Sequence, residues 1–228
     1  IEPGVTTAAI DAAVEDLFRR QGGMPLFKGY PSPAAGVADF PATICASINE
    51  EVVHGVPSER ALQEGDILSV DVGVKLDGWC GDAARSFPVG AVTRKTRKLL
   101  RVTEACLTKA VEALHPGVLL KEVSDAIQRQ AESNGFAVVR KFVGHGIGRE
   151  MHEAPQVPNY VSRSFRDGRL ELDAGTVLAI EPMVNIGKSD VRVQRNGWTV
   201  VTKDHSLSAH FENTVAITPH GTEVLTAD

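Results

Sequence analysis

The sequence predicts an α+β fold, built as one domain from two related halves. Two observations carry this. Segments recur in the same order at a nearly constant offset, and helical and strand-like runs follow one another without strict βαβ alternation. The first echo joins Pro3-Gly4-Val5 to Pro116-Gly117-Val118, 113 residues later, with Ile10/Val123, Val14/Ile127 and Gly22/Gly135 at the same offset. The second joins the run from Leu62 through Gly65 to Asp71 with the run from Leu172 through Gly175 to Glu181, at an offset of 110. Each is a turn glycine, a short β-rich run and a carboxylate. The halves span about 1–90 and 91–228 within a single 1–228 domain.

Taken in order, Pro3-Gly4-Val5 opens a helical pattern in which Ile10, Ala13, Val14, Leu17 and Phe18 recur with i, i+3, i+4 spacing on one face, ending at Gly22. Strands follow at 44–48, 67–76 and 79–88. Residues 95–114 form a long helix with Leu99, Val102, Cys106, Leu107, Ala110, Val111 and Leu114 on one face. The next helix carries Val123, Ala126 and Ile127 and ends at Gly135. Further strands are expected at 137–143, 177–184, 199–202 and 210–217, and Gly/Pro/Ser-rich specificity loops at 29–39 and 153–168. By the repeat, the counterpart of the 95–114 helix would precede Ile1, which predicts a chain trimmed at its N-terminus.

The 228 residues are 43% hydrophobic and 23% charged, which fits a soluble globular protein and excludes disordered, collagen-like and membrane classes. A net charge of −5 argues against broad nucleic-acid or anionic-membrane binding. Three cysteines, an odd number without CxxC spacing, suggest a reducing compartment, and the expected location is cytoplasmic.

The chemistry lies in carboxylates set among apolar neighbours. Asp77-Gly78 is a two-residue hairpin signal that would face Leu76 with Trp79 and Gly73 with Asp82. Asp71 and Asp82 then share one face as diagonal neighbours, about 7–8 Å apart at Cα. Like charges that close are costly unless a cation intervenes. Glu181 follows Val-Leu-Ala-Ile and Glu212 sits in His-Phe-Glu-Asn-Thr-Val, and buried carboxylates need partners. His145 lies between glycines that permit close backbone approach to a ligand. One imidazole among carboxylates suits a divalent ion such as Mn, Fe, Co or Zn. His54 and His152 remain as hydrogen-bonding partners for a substrate.

Taken together, Cys45-Ala-Ser-Ile-Asn-Glu-Glu-Val-Val-His54-Gly, Asp71-Val-Gly, Asp82, Gly-His145-Gly-Ile-Gly, Met151-His152-Glu-Ala-Pro, Ile-Glu181-Pro-Met and Phe-Glu212-Asn-Thr resemble the type I methionine aminopeptidases of metallopeptidase family M24. The resemblance spans nearly the whole chain. It implies the pita-bread (creatinase/aminopeptidase) fold with pseudo-two-fold halves, and removal of the initiator methionine from nascent chains with a small second residue. It implies two divalent metal ions held by Asp71, Asp82, His145, Glu181 and Glu212, with Asp82 and Glu212 bridging. Glu181 would shuttle the proton, His152 would donate to the carbonyl oxygen, and His54 would contact the scissile amide. Tyr30, Phe40, Cys45, Met151 and Trp198 would line the methionine pocket. The expected partners are nascent polypeptide N-termini, with ribosome association; no nucleic-acid recognition, no membrane and a monomer are expected.

Three departures stand out. Residues 32–39 form a longer run than is usual in the family. In His210-Phe-Glu212-Asn213 the family more often has Gln and His at the first and last positions, which bears on the hydrogen bonds around the ligand. There is no Cys/His-rich extension, and no long insertion separates His152 from Glu181 as in the type II subclass. The alternatives are a proline-directed peptidase of the same fold, which usually carries a large N-terminal domain, and a non-catalytic binding module, which typically loses metal ligands.

Overall fold

The computed structural model describes residues 1–32, 34–161 and 169–227. Helix α1 covers Thr7–Gln21, α2 Arg94–Ala113 and α3 Leu120–Ser133. The first two begin where a threonine side chain accepts a backbone N–H: Thr6 from Ala9, and Thr93 from Thr96. Helix α1 ends on left-handed Gly22 (φ 74°), as a glycine without Cβ strain permits.

All described strands pair antiparallel. Met24–Pro25 and Ile44–Ile48 share one edge of Ile67–Leu76, and Trp79–Pro88 takes the other. A five-stranded sheet runs Gly221–Val224, Asn213–Thr218, Val177–Ile180, Gly144–Gly146, Glu153–Val157. Two three-stranded sheets complete the centre, one of Ser208–His210, Met183–Asn185 and Ala137–Val138, the other of Val191–Val193, Val200–Thr202 and Glu51–Val53. The buried faces of α2 and α3 (Leu99, Val102, Cys106, Ala110; Val123, Ile127, Ala131) join Leu178, Ile180, Val184 and Val215 in the largest core cluster. On the other side, Ile10 and Val14 of α1 pack on Ile44, Ala46 and Leu68. Asp11 Oδ1 accepts the backbone N–H groups of Thr43 and Ile44, tying α1 to its strand.

The structure corrects several sequence expectations. The run at 177–184 is two strands, because Pro182 has no N–H to continue a ladder. The run at 210–217 likewise divides, at Phe211–Glu212. Glu181 and Glu212 therefore sit where paired chains leave one sheet for another. The run at 137–143 is strand only over Ala137–Val138, since the chain turns there to send Gly144–Gly146 into the five-stranded sheet. The run at 199–202 is strand from Val200. The supposed loop at 153–168 begins as strand Glu153–Val157, and its part from 162 onward lies outside the described residues. On α1, Ala13 is exposed and Leu17 is 46% exposed, although both were expected on the core face. Helix α2 covers α3, whereas among the described residues no helix covers α1 in the same way.

Candidate metal centre and its pocket

Asp77 (φ 51°) and Gly78 (φ 81°) form the hairpin turn with both residues left-handed, as a type I′ turn requires. Leu76 faces Trp79, Gly73 faces Asp82 and Asp71 faces Ala84, so Asp71 and Asp82 are diagonal neighbours on one face. Gly73 is glycine for packing: a Cβ there would lie 2.7 Å from the Phe27 ring. Thr214 clamps the Asp82 backbone, accepting its N–H at 2.9 Å and donating to its carbonyl at 2.8 Å. Glu212 pairs across to Ala84 through its own N–H at 2.8 Å, which carries its carboxylate to the same place. The Arg85 guanidinium donates to the Glu212 carbonyl and, at 2.8 Å, to Asn213 Oδ1. That gives Asn213, one of the family departures, a partner in this chain.

His145 sits in strand Gly144–Gly146 opposite Ala179. Its glycines admit neighbouring backbone, and the expectation that they clear space for a ligand is corrected. A Cβ on Gly144 would meet the Ala179 carbonyl oxygen at 2.3 Å, and one on Gly146 the Ala154 carbonyl oxygen at 2.2 Å. His145 Nδ1 lies 2.9 Å from the Gly146 carbonyl oxygen, so that nitrogen donates and Nε2 keeps a free lone pair. Nε2 is 3.6 Å from Glu181 Oε1 and 4.0 Å from Asp82 Oδ2. Asn159, fully buried, donates from Nδ2 to the Glu181 carbonyl at 3.1 Å. Sequence reasoning did not single out Asn159, whose only signal was a polar residue among Val157, Pro158 and Tyr160.

Among the described residues, two groups of ligand atoms gather within 4.8 Å of one another: Asp82, His145 and Glu212, and Asp71, His210 and Glu212. Glu212 belongs to both. His210, expected only beside the ligands, thus stands among the potential metal-binding groups. Burial and mutual repulsion push the Asp71, Glu181 and Glu212 carboxyls well above the usual carboxylate range, and burial raises Asp82 to about 7. Asp71 Oδ1, Asp82 Oδ1 and His210 Nε2 are buried without a hydrogen-bond partner. Four crowded carboxylates with unpartnered oxygens, and an imidazole lone pair facing them, fit a divalent cation.

Above these groups opens a cavity of about 250 Å³. Every sequence-selected site residue lines it: Asp71, Asp82, His145, Glu181 and Glu212 with His54 and His152, and Tyr30, Phe40, Cys45, Met151 and Trp198 on the apolar side. Phe27, Phe142, Val193, Gly197 and Val200 also line it, unselected because single apolar residues look like core in a sequence. His54 takes a left-handed backbone (φ 57°) and packs edge-on against Phe142, and burial brings its imidazole to about 4. His152 falls to about 4 chiefly through desolvation, with His145 and His54 adding repulsion. The Tyr30 hydroxyl lies 3.0 Å from His152 Nδ1. Cys45 is buried, and desolvation, then Asp71, raise its thiol well above the ordinary value. The described part of 32–39 docks on the pocket rim: Trp198 Nε1 donates to the Ala38 carbonyl at 2.9 Å, and Val37 packs on Gly197.

The chain matches metallopeptidase family M24 over residues 1–219. It is 52% identical to a methionine aminopeptidase of Clostridium acetobutylicum, over 99% of this chain and 86% of that one. A solved methionine aminopeptidase of Thermotoga maritima superposes with a TM-score of 0.93 at 44% identity, covering 100% of this chain and 88% of that one. An Xaa-Pro dipeptidase of Bacillus anthracis shares the fold alone, with a TM-score of 0.74 at 21% identity over 100% of this chain and 54% of that one. The chain belongs to metallopeptidase family M24, among its methionine aminopeptidases.

Proposed function

We propose that this chain removes N-terminal methionine from nascent proteins and peptides with a small second residue, using two divalent ions held by Asp71, Asp82, His145, Glu181 and Glu212. The observation that carries the reading is that all five line one cavity of about 250 Å³ with an apolar side, and that Asp71, Asp82, His145 and Glu212 fall in groups of closely spaced ligand atoms there. Bound there, divalent ions supply Lewis-acid chemistry: a polarised carbonyl and a water made nucleophilic at neutral pH.

The remaining work falls to the protein's own groups. Glu181 takes a proton from the attacking water and returns it to the leaving amine, a role suited to a carboxyl whose burial raises its proton affinity. With Tyr30 donating to Nδ1, neutral His152 presents Nε2–H to the carbonyl oxygen as negative charge develops. His54, half-buried and neutral, faces the scissile amide. Phe40, Cys45, Met151 and Trp198 surround the methionine side chain, and a thioether packs well on the edges of the T-shaped Phe40–Trp198 pair. Asp82 and Glu212 would help hold the ions, Glu212 through its place in both groups of ligand atoms. The metal is Co, Mn, Fe or Zn.

Among the described residues no helix is long and apolar enough to cross a membrane. We place the protein in the cytoplasm as a monomer that meets nascent N-termini at the ribosome. Peptides Met-Ala-Ser, Met-Lys-Ser and an X-Pro peptide, each assayed with the metal-loaded protein, test the specificity. Methionine release from Met-Ala-Ser, strongly reduced for Met-Lys-Ser, is the expected result; turnover of the X-Pro peptide alone contradicts it.

A further inference from the structure

His210 is 2% exposed, and its Nε2 has no hydrogen-bond partner. That nitrogen lies 3.8 Å from Glu181 Oε2 and 3.8 Å from Glu212 Oε2. The ring therefore approaches one oxygen of the Glu181 carboxylate, and His145 Nε2 faces the other, Oε1. The His210 backbone is held from both directions by Ser86, whose Oγ accepts its N–H at 2.8 Å and donates to its carbonyl at 2.9 Å. Strand pairing with Met183 fixes it further. This placement is rigid, and Glu181 lies only two residues along the chain from that pairing partner.

A neutral imidazole has one N–H and one lone pair, and a buried donor or acceptor left unmade is destabilising. The carboxylates of Glu181 and Glu212 are the groups at hand, and both accept. Among the described residues neither side chain accepts a hydrogen bond from another donor; Arg85 bonds the Glu212 carbonyl and Asn159 the Glu181 carbonyl. Ligating carboxylates need such a donor to hold their orientation. His210 is absent from the cavity lining and so approaches these carboxylates from behind.

We propose that His210 is a positioning residue whose Nε2–H donates to the Glu181 and Glu212 carboxylates, fixing the proton-shuttling carboxylate and its neighbour for metal binding and turnover. This rests on the metal-centre reading above. Closing 3.8 Å to the roughly 2.9 Å of an N–H···O bond needs only a small side-chain rotation. The competing role is ligation, with Nε2 unprotonated and bound to an ion beside Asp71 and Glu212.

The test is long-range ¹H–¹⁵N NMR of the histidine-labelled, zinc-loaded full chain, with zinc affinity measured for wild type, His210→Gln and His210→Leu. The proposal predicts the Nε2–H tautomer for His210. Glutamine, which keeps an N–H donor, should hold zinc affinity and kcat within about threefold, whereas leucine should lower one or both by about 10–100-fold with KM little changed. A zinc-shifted, unprotonated Nε2 would make His210 a ligand and overturn the proposal. So would wild-type zinc affinity and kcat in a folded His210→Leu variant. The tautomer is read on wild type, so a variant that fails to fold leaves the test decisive. A wild-type chain that binds none of Co, Mn, Fe and Zn would instead sink the metal-centre reading itself.

Discussion

Replacing Gly144 with Ala perturbs the centre without touching a ligand. The added Cβ would sit 2.3 Å from the Ala179 carbonyl oxygen and 3.2 Å from the Val157 side chain. A normal contact exceeds about 3.2 Å, so strands Gly144–Gly146 and Val177–Ile180 must part by almost an ångström. They are joined through Ala179–His145 and Leu178–Gly146, and the first of these pairs carries the metal-facing imidazole. Overpacking of this kind costs about 1–3 kcal/mol of stability. Misplacing a positioned group by about 1 Å costs about 100-fold in rate. Urea unfolding, calorimetric metal titration and release of methionine from Met-Ala-Ser read the three consequences. A folded variant with metal affinity and kcat within about threefold of wild type would refute the claim that these glycines set the position of His145.

Other expectations follow from the same geometry. The metal-free protein should lose stability as pH rises from about 4 to about 7. Burial holds Asp82 at about 7 when folded against 3.8 for the free group, so the unfolded chain ionises first. That interval corresponds to about 4 kcal/mol at about 1.4 kcal/mol per tenfold in proton binding; urea titrations at pH 4 and pH 8 in chelator measure it, and equal stability contradicts it. Tyr30→Phe removes the partner 3.0 Å from His152 Nδ1 and should lower kcat/KM roughly fivefold, about 1 kcal/mol, with unchanged metal affinity. Iodoacetamide at pH 8 should modify half-buried Cys80 before buried Cys45 and Cys106, as peptide mass spectrometry will show; early loss of Cys45 would contradict its raised thiol.

Much of the site was legible because its chemistry is local. The Asp77-Gly78 turn dictates the hairpin register, and the register alone puts Asp71 and Asp82 on one face. Glu181 and Glu212 were conspicuous as carboxylates among apolar residues. The sequence did not disclose that both lie at strand breaks, since alternation continues through Pro182 and Phe211 while the pairing partner changes. Asn159, Phe27 and Phe142 escaped notice because their roles depend on contacts with distant residues: Asn159 with Glu181, Phe27 with Gly73, Phe142 with His54. His210 drew attention only as a departure from the family pattern, and its relation to Glu181 and Glu212 required the fold. The glycines beside His145 were noticed for the wrong reason, because a sequence cannot tell approach by a ligand from approach by a neighbouring strand.

The most direct test strips the full chain of metal and follows methionine release from Met-Ala-Ser as one divalent ion is titrated back, for wild type and for Glu181→Ala. The account predicts no turnover in the stripped protein, recovery as up to two equivalents bind, and no recovery in Glu181→Ala. Turnover by the stripped protein, or full recovery in Glu181→Ala, would contradict it.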